Sequence, residues 1–576
     1  MKGNPGDLVR PAQRRRSLTV VAMLCAAAGC THDDAGAGLL QPPASAVPPA
    51  WGPVSVLAPD ATLQAGVLGS WRGGMYSLST PADPPVYDPI TRRVFNGSGD
   101  RKAVDIIDIG DPGHPAKVGA IDVSAYGDEP QALALHESIL VVTVVTHDRP
   151  EIAGVILFFN VDGIRIADPI ALSDPNKAEF SHDGRTLVVT QSGFAGDGLD
   201  PESGIAVVAM GDVPWDACRS DVGRCRLEPR AAFINFKDLD DDEAALRAKG
   251  VRLYVPGATV AKELEIEGLA LSPDSRHAYV TFERANAIGK IDLRTLALVD
   301  IVAAGTKDHS RPGNGCDCSD RDGANVALWP VRSFSQPDGI AVYRHRGQDY
   351  LVVANEGDPR SIERRRVRDL TLDPSAFPDA ASLQSDSRIG RLVVSGAQGD
   401  TDGDGDFDEL WMLGSRSFSI RTADGTLVYD SGDDMEQITA ANLPDHHNAA
   451  ADGIQGDVRS DDRGPEPEHV AIGRIGARTY AFITSEHMGG VYIHDITNPF
   501  DVRFQQYINN RNFAVAQDEV CGERGAPALH ACELAGDLEP EGVTFVPAAL
   551  SPTGRAMLLV NHELSDSVAI YDLDGR

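Results

Sequence analysis

Basic residues are scarce in this chain: 52 Lys and Arg stand against 85 Asp and Glu, a net charge of −33 over 576 residues. Every phosphate contact of a nucleic acid or an anionic lipid surface needs a cation to neutralise it, so this balance argues against both as partners. Enzyme signatures are missing as well. There is no Gly-x-Ser-x-Gly elbow, no His-Glu-x-x-His, no Walker loop and no Gly-x-Gly-x-x-Gly, which removes the serine-hydrolase, zincin, P-loop and dinucleotide-binding signatures. Cysteine is sparse, at 8 residues, and no Cys-x-x-Cys pair occurs. What the chain has instead is carboxylates, 57 Gly and 37 Pro. Excess carboxylate suits hard cations such as Ca²⁺, which take oxygen ligands, and turn-rich composition favours many short strands.

The N-terminus reads as an address. Arg10, Arg14, Arg15 and Arg16 precede the apolar run 18–28, which closes on Gly29-Cys30. The run is too short to span a bilayer and reads as a signal peptide over residues 1–29. Ala27-Ala28-Gly29-Cys30 resembles a bacterial lipobox, making Cys30 the expected lipidation site; simple secretion is the alternative. Thr31 in place of Asp favours the outer membrane or cell surface over inner-membrane retention. Residues 30–59, Ala/Pro-rich without periodicity through residue 50, are expected to be a flexible tether. The membrane is then reached through Cys30 alone. Six further cysteines fall in close pairs, Cys218 and Cys225, Cys316 and Cys318, Cys521 and Cys532. An even number in an exported chain points to local disulfides, with a zinc site as the rival reading.

One module recurs: Pro or Glu, an acidic residue, Gly, an alternating strand, a turn, a second β-branched strand, then Asn or Glu. Copies start at Glu265-Ile-Glu267, Pro337-Asp338, Pro467-Glu468 and Pro540-Glu541, with weaker ones at Pro130 and Glu179 and a first strand group near Val86 to Ile109. Repeated period-2 strands around tight turns are the pattern of propeller blades. The fold expected is an all-β, seven-bladed β-propeller over residues 60–576.

In an antiparallel hairpin the residue entering the first strand and the residue leaving the second lie at the same end. Glu267 with Glu283, Asp338 with Glu356, Glu468 with Glu486 and Glu541 with Glu563 should therefore gather on one face, with Asp358 nearby. Such a face is a candidate ligand or metal site, because like charges that close raise one another's pKa unless a cation joins them; capping of backbone N–H groups is the alternative role. Asp400, Asp402 and Asp404, with Gly405, Asp406 and Asp408, follow the spacing of an EF-hand-type Ca²⁺ loop, although position 12 is Trp411 and Glu409 or another loop must complete the shell. Asp317, Asp320 and Asp322 form a looser candidate for a second ion. Ca²⁺ is the expected cofactor, with another divalent metal as an alternative. Arg360, Arg364, Arg365 and Arg366 form a candidate anion site, or a solvated loop with local ion pairs. His309, His469, His487 and His562, near module ends, read as ordinary loop histidines.

Several stretches carry a family resemblance: Ala354-Asn-Glu-Gly-Asp358, Lys307-Asp-His-Ser310, Asp402-Gly-Asp-Gly-Asp-Phe-Asp-Glu-Leu410, Arg416-Ser-Phe-Ser-Ile420, Ser431-Gly-Asp-Asp434, Gly464-Pro-Glu-Pro-Glu468, Tyr507-Ile-Asn-Asn-Arg511 and Gly536-Asp-Leu-Glu-Pro-Glu541. In this order, over roughly residues 60–575, they resemble the choice-of-anchor I domain, related to mesenchyme-specific cell-surface glycoproteins of biomineralising animals. The chain departs from the pattern at Cys316, Cys318 and the loop 197–204. The resemblance implies a seven-bladed propeller of the YVTN type, exported and anchored at the surface. Some related bacterial proteins are called atypical alkaline phosphatases, so it also implies a metal-dependent phosphoesterase as the second functional reading. The first is a Ca²⁺-binding surface propeller, expected to be monomeric, that holds a ligand or partner protein without turning it over.

Overall fold

Alternating apolar residues on short β-branched runs make strands that bury both faces once sheets stack. A computed structural model describes residues 52–79, 81–146, 153–193, 202–220 and 224–575. The signal peptide 1–29, Cys30, most of the tether and most of the loop 197–204 lie outside the described residues. Seven antiparallel sheets of four or five strands follow one another along the chain, over residues 86–122, 129–171, 175–235, 266–303, 340–430, 467–509 and 540–575. Two N-terminal strands complete the last two. Leu63–Arg72 pairs with Ser567–Gly575, and Val54–Leu57 adds a fifth strand beside Arg503–Asn509. Residues 54–57 were expected within the tether, and they form a sheet edge because Val54 and Val56 pack against the core between the fifth and sixth sheets. No helix among the described residues is long and apolar enough to cross a membrane.

The core sits in the seams between successive sheets. Phe95 and Leu140 share one cluster, Phe158 and Val208 the next, then Val207 with Phe282, Tyr279 with Leu351, Phe418 with Tyr492 and Phe482 with Leu558. The last seam, holding Met557 and Ile107, joins the final sheet to the first. The sheets thus close on themselves around a channel, as in a propeller. Disulfides Cys218–Cys225, Cys316–Cys318 and Cys521–Cys532 form as local pairs, as the cysteine spacing predicts.

The innermost strands explain the acidic-Gly pair of the module. In five sheets their pairing shifts register at the module start, between Pro130 and Leu133, Pro175 and Ala178, Ile266 and Leu269, Pro467 and Val470, and Pro540 and Val543. A bulge of this kind re-aims the extra residue. Its amide is held by a side chain of the neighbouring strand: Ala132, Lys177, Gly268 and His469 donate to Thr143, Thr190, Thr281 and Thr484, and Gly542 donates to Asn561. The same side chains stitch one sheet to the next, since Thr281 donates to the Asp338 carbonyl at 2.7 Å and Thr484 to the Glu541 carbonyl at 3.0 Å. Glycine follows the acid where adjacent backbones meet. A Cβ on Gly268 would stand 2.4 Å from the Asp338 carbonyl oxygen, and one on Gly339 2.4 Å from that of Glu468.

Substituting Gly339→Ala should therefore push the fifth and sixth inner strands apart and cost about 1–3 kcal/mol. A lowered Tm in thermal unfolding checks this, with Gly66→Ala, at an exposed strand position where a Cβ would meet nothing within 4 Å, as the control for general glycine effects.

Candidate acidic channel site

Strand direction fixes where the acids go. First strands begin, second strands end, third strands begin and fourth strands end at one face, so the residue pairs of the module and every inter-sheet connection share that face. The long connections 304–335, 431–466 and 510–539, together with the insertion 356–416 inside the fifth sheet, leave from this acidic end and cover it. The carboxylates are consequently buried rather than presented to solvent: Glu283, Asp338, Glu356 and Glu541 are each less than a tenth exposed.

The structure brings the expected acids together. One carboxylate oxygen each from Asp338, Glu356 and Glu468 lies within 4.8 Å of the others. Glu283 is raised well above the ordinary carboxylate range by burial, then by Glu356, Asp358, Asp338 and Glu267. Glu356, Glu468 and Glu541 are raised likewise, burial first, with Glu356 and Asp338 acting on Glu468 and Glu563 acting on Glu541. Burial and Asp338 push Glu267 up to about 8, and burial pushes Glu486 up to about 7. Asp358 lies at the edge of this group, paired with Arg284.

Residues outside the recurring motifs supply the counter-charge. Lys177, on the bulge of the third sheet, meets Asp83 at 2.7 Å and feels Asp338 and Glu267. Arg463, from the covering connection, bridges Glu356 and Glu466. Glu466 is held down to about 2, since Arg463, His487 and Arg459 outweigh its burial. His487 is not an ordinary loop histidine: Glu466 and Glu486 outweigh burial and raise it to about 9, and its Nδ1 lies 2.9 Å from Glu539. His309 and His562 are buried and His469 is half-buried, and desolvation chiefly drives His309, His469 and His562 to about 3, 4 and 4 respectively. Lys177 was legible only by aligning Pro175-Asn-Lys177 with Pro467-Glu-His469; Arg463 and Glu539 carry no such signal.

Below the acids the channel widens into a cavity of about 620 Å³. Its lining runs from Asp83, Lys177 and Asp338 down the inner strands to His136, His182 and Pro273 at the hairpin ends. Burial pushes Glu179, on this wall, up to about 7.

The arginines do not converge on the mouth as one anion site. Residues 364–366 form a strand paired with Val393–Ser395, so successive side chains point to opposite faces. Arg364 pairs with Asp462 at 2.9 Å, Arg366 with Asp461 at 2.6 Å and Arg360 with Glu265 at 2.7 Å, while Arg365 is exposed and contacts main-chain carbonyls. In the EF-hand-like loop, oxygens of Asp400, Asp402 and Asp404 lie within 4.8 Å of one another, and Asp406 and Asp408 group with Asp373 from another loop. Glu409 turns away to Trp411 and Arg332. Asp320 is held by Arg391 at 2.8 Å, whereas Asp317 and Asp322 meet Asp457, which spacing did not reveal.

A carboxyl whose folded pKa lies above its unfolded value near 4.5 adds stability that is fully present below that value and lost as pH rises through the folded one. Glu486 and Glu267 place this loss around about pH 7 to 8, and His487 adds to it near about 9. In chelator, Tm should fall by several degrees between about pH 5 and about pH 8. The slope should flatten in Glu267→Gln, which thermal melts across that range will show.

A family model for the choice-of-anchor I domain matches residues 85–499. Gigasin-3a of Magallana gigas is 27% identical over 201 residues, 34% of this chain and 68% of that protein. Mesenchyme-specific cell surface glycoprotein of Strongylocentrotus purpuratus is 25% identical over 310 residues, 46% of this chain and 40% of that protein. Among solved structures, the β-propeller domain of Cps50 (Swd1) from Myceliophteria thermophila superposes with a TM-score of 0.41 at 9% identity, covering 88% of this chain and 99% of that domain. The chain belongs to the choice-of-anchor I domain family.

Proposed function

We propose that this protein is an exported, surface-located propeller of seven blades that binds divalent cations, Ca²⁺ first among them, beneath its covering connections, and holds a ligand or partner without turning it over. The observation that carries this reading is the crowding of Glu267, Glu283, Asp338, Glu356, Glu468 and Glu541, buried or half-buried around one channel, where Lys177, Arg284 and Arg463 leave all six raised above the ordinary carboxylate range. A divalent cation among Asp338, Glu356 and Glu468 relieves the repulsion and keeps all three ionised. The Asp400–Asp408 loop, joined by Asp373, is a further Ca²⁺ position in the same proposal.

Export through the signal peptide 1–29, with lipidation at Cys30 and a tether leading to the first strand, fits the three disulfides, which persist in oxidising compartments. The relative named a cell surface glycoprotein supports the same location. The commitment of Arg360, Arg364 and Arg366 to carboxylates favours binding over phosphoester hydrolysis.

Metal analysis of protein purified without chelator should find Ca²⁺ bound, with at least one equivalent lost in Glu356→Gln and Glu468→Gln. Metal-free protein that neither takes up Ca²⁺ nor gains Tm from it would contradict the reading. Chelator-sensitive release of phosphate from phosphomonoesters, abolished by Glu356→Gln, would replace binding with catalysis.

A further inference from the structure

Two of the connections that cover the channel meet at a second carboxylate group. Asp317 sits between the disulfide partners Cys316 and Cys318 and is fully buried. Asp322 follows on the same loop and is exposed, and Asp457 comes from the connection 431–466. One oxygen of each lies within 4.8 Å of one oxygen of the other two.

The hydrogen bonds divide each carboxylate into a held oxygen and a free one. Asp317 Oδ2 accepts the Asn325 amide at 3.2 Å, Asp322 Oδ2 accepts Asn325 Nδ2 at 2.7 Å, and Asp457 Oδ2 accepts the Gly323 amide at 2.9 Å. Asp317 Oδ1 and Asp457 Oδ1 are buried and have no partner. An acceptor left bare in the interior costs on the order of 1–3 kcal/mol, so native structures fill such positions.

A separate side chain points the same way. His447 is fully buried, and its Nδ1 lies 2.8 Å from the Thr439 hydroxyl, which donates to the Met435 carbonyl at 3.1 Å. Nδ1 is then the donor to Thr439, and Nε2 lies 3.3 Å from Asp317 Oδ2 with no hydrogen-bond partner.

The nearby cations are occupied elsewhere. Arg416 donates to the main-chain carbonyl of Asp317 at 2.6 Å and to Glu436 at 3.0 Å, and Arg391 is paired with Asp320. Among the described residues, no lysine or arginine pairs with Asp322 or Asp457.

We propose that Asp317, Asp322 and Asp457 bind a divalent cation of the hard, oxygen-seeking class, Ca²⁺, which clamps the Cys316–Cys318 loop to the connection 431–466. An all-carboxylate set with one solvent-facing member suits a cation that completes its shell with water. The clamp has a consequence for the channel, because the same connection continues into Arg459, Arg463 and Glu466, which pack over Glu356. The site stands apart from the channel carboxylates and holds in place the segment that partly neutralises them.

The test is Ca²⁺ titration of decalcified protein by calorimetry and equilibrium dialysis, with limited trypsin digestion read at Arg459 and Arg463. Asp457→Asn and Asp322→Asn should each lose one equivalent of Ca²⁺ and the Ca²⁺-dependent protection of Arg459 and Arg463. Glu468→Gln, which removes a channel carboxylate that has no ion pair with Arg463, should lower only the channel's share of bound Ca²⁺ and keep the Ca²⁺-dependent protection, so that failure of the channel reading and failure of this one are told apart. Asp322 is exposed, so its variant decides the matter if Asp457→Asn does not fold. Unchanged stoichiometry and protection in the folded variants, or no Ca²⁺-dependent protection in the parent protein, would overturn the proposal.

Discussion

Burying one carboxylate costs its hydration, and burying several side by side adds mutual repulsion to that cost. The fold of this protein does both around its channel. Inner strands supply backbone to the seam with their neighbours, and in the fourth, sixth and seventh sheets the acidic residue sits within the bulge that accompanies this contact. Packing of the sheets and crowding of charge are therefore one geometric event repeated around the ring. Protons, basic side chains and metal ions are the available means of neutralisation, and the basic side chains, Lys177, Arg284 and Arg463, leave much of the group raised.

The covering connections complete the arrangement. Because antiparallel topology sends every inter-sheet connection out at the acidic end, the elements free to vary in length are the ones that close over the carboxylates. Arg463 reaches the mouth from that cover, His487 comes from the turn between strands 478–485 and 491–495 of the sixth sheet, and Glu466 is held by both. Buried like charge thus turns loops into parts of the site. The opposite end of the channel, the cavity of about 620 Å³, meets the acidic group at Asp83, Lys177 and Asp338 and carries Glu179 on its wall.

Much of this was readable in the residues. Period-2 strands and the recurring acidic-Gly pair mark the sheets, and hairpin geometry alone predicts that Glu267 joins Glu283 and Asp338 joins Glu356. What escaped is what depends on residues distant in the chain. Lys177 stands one residue after the acid's position, where other inner strands carry Gly or His, Asp373 and Asp457 come from separate loops, and Glu409 is captured by Trp411 and Arg332. The arginine run reads as one cluster in sequence, yet a strand divides it between two faces. Val54–Leu57 looks like tether because four residues carry too little periodicity to signal a strand until Arg503–Asn509 offers an edge.

The central claim is that a cation, rather than shared protons, neutralises the channel. Anomalous diffraction from crystals of the protein grown with Ca²⁺ at about pH 8 tests it most directly. The account predicts a peak about 2.3–2.6 Å from oxygens of Asp338, Glu356 and Glu468. Empty density there, with these carboxyls in direct hydrogen-bonded contact, would contradict it and assign the neutralisation to protons.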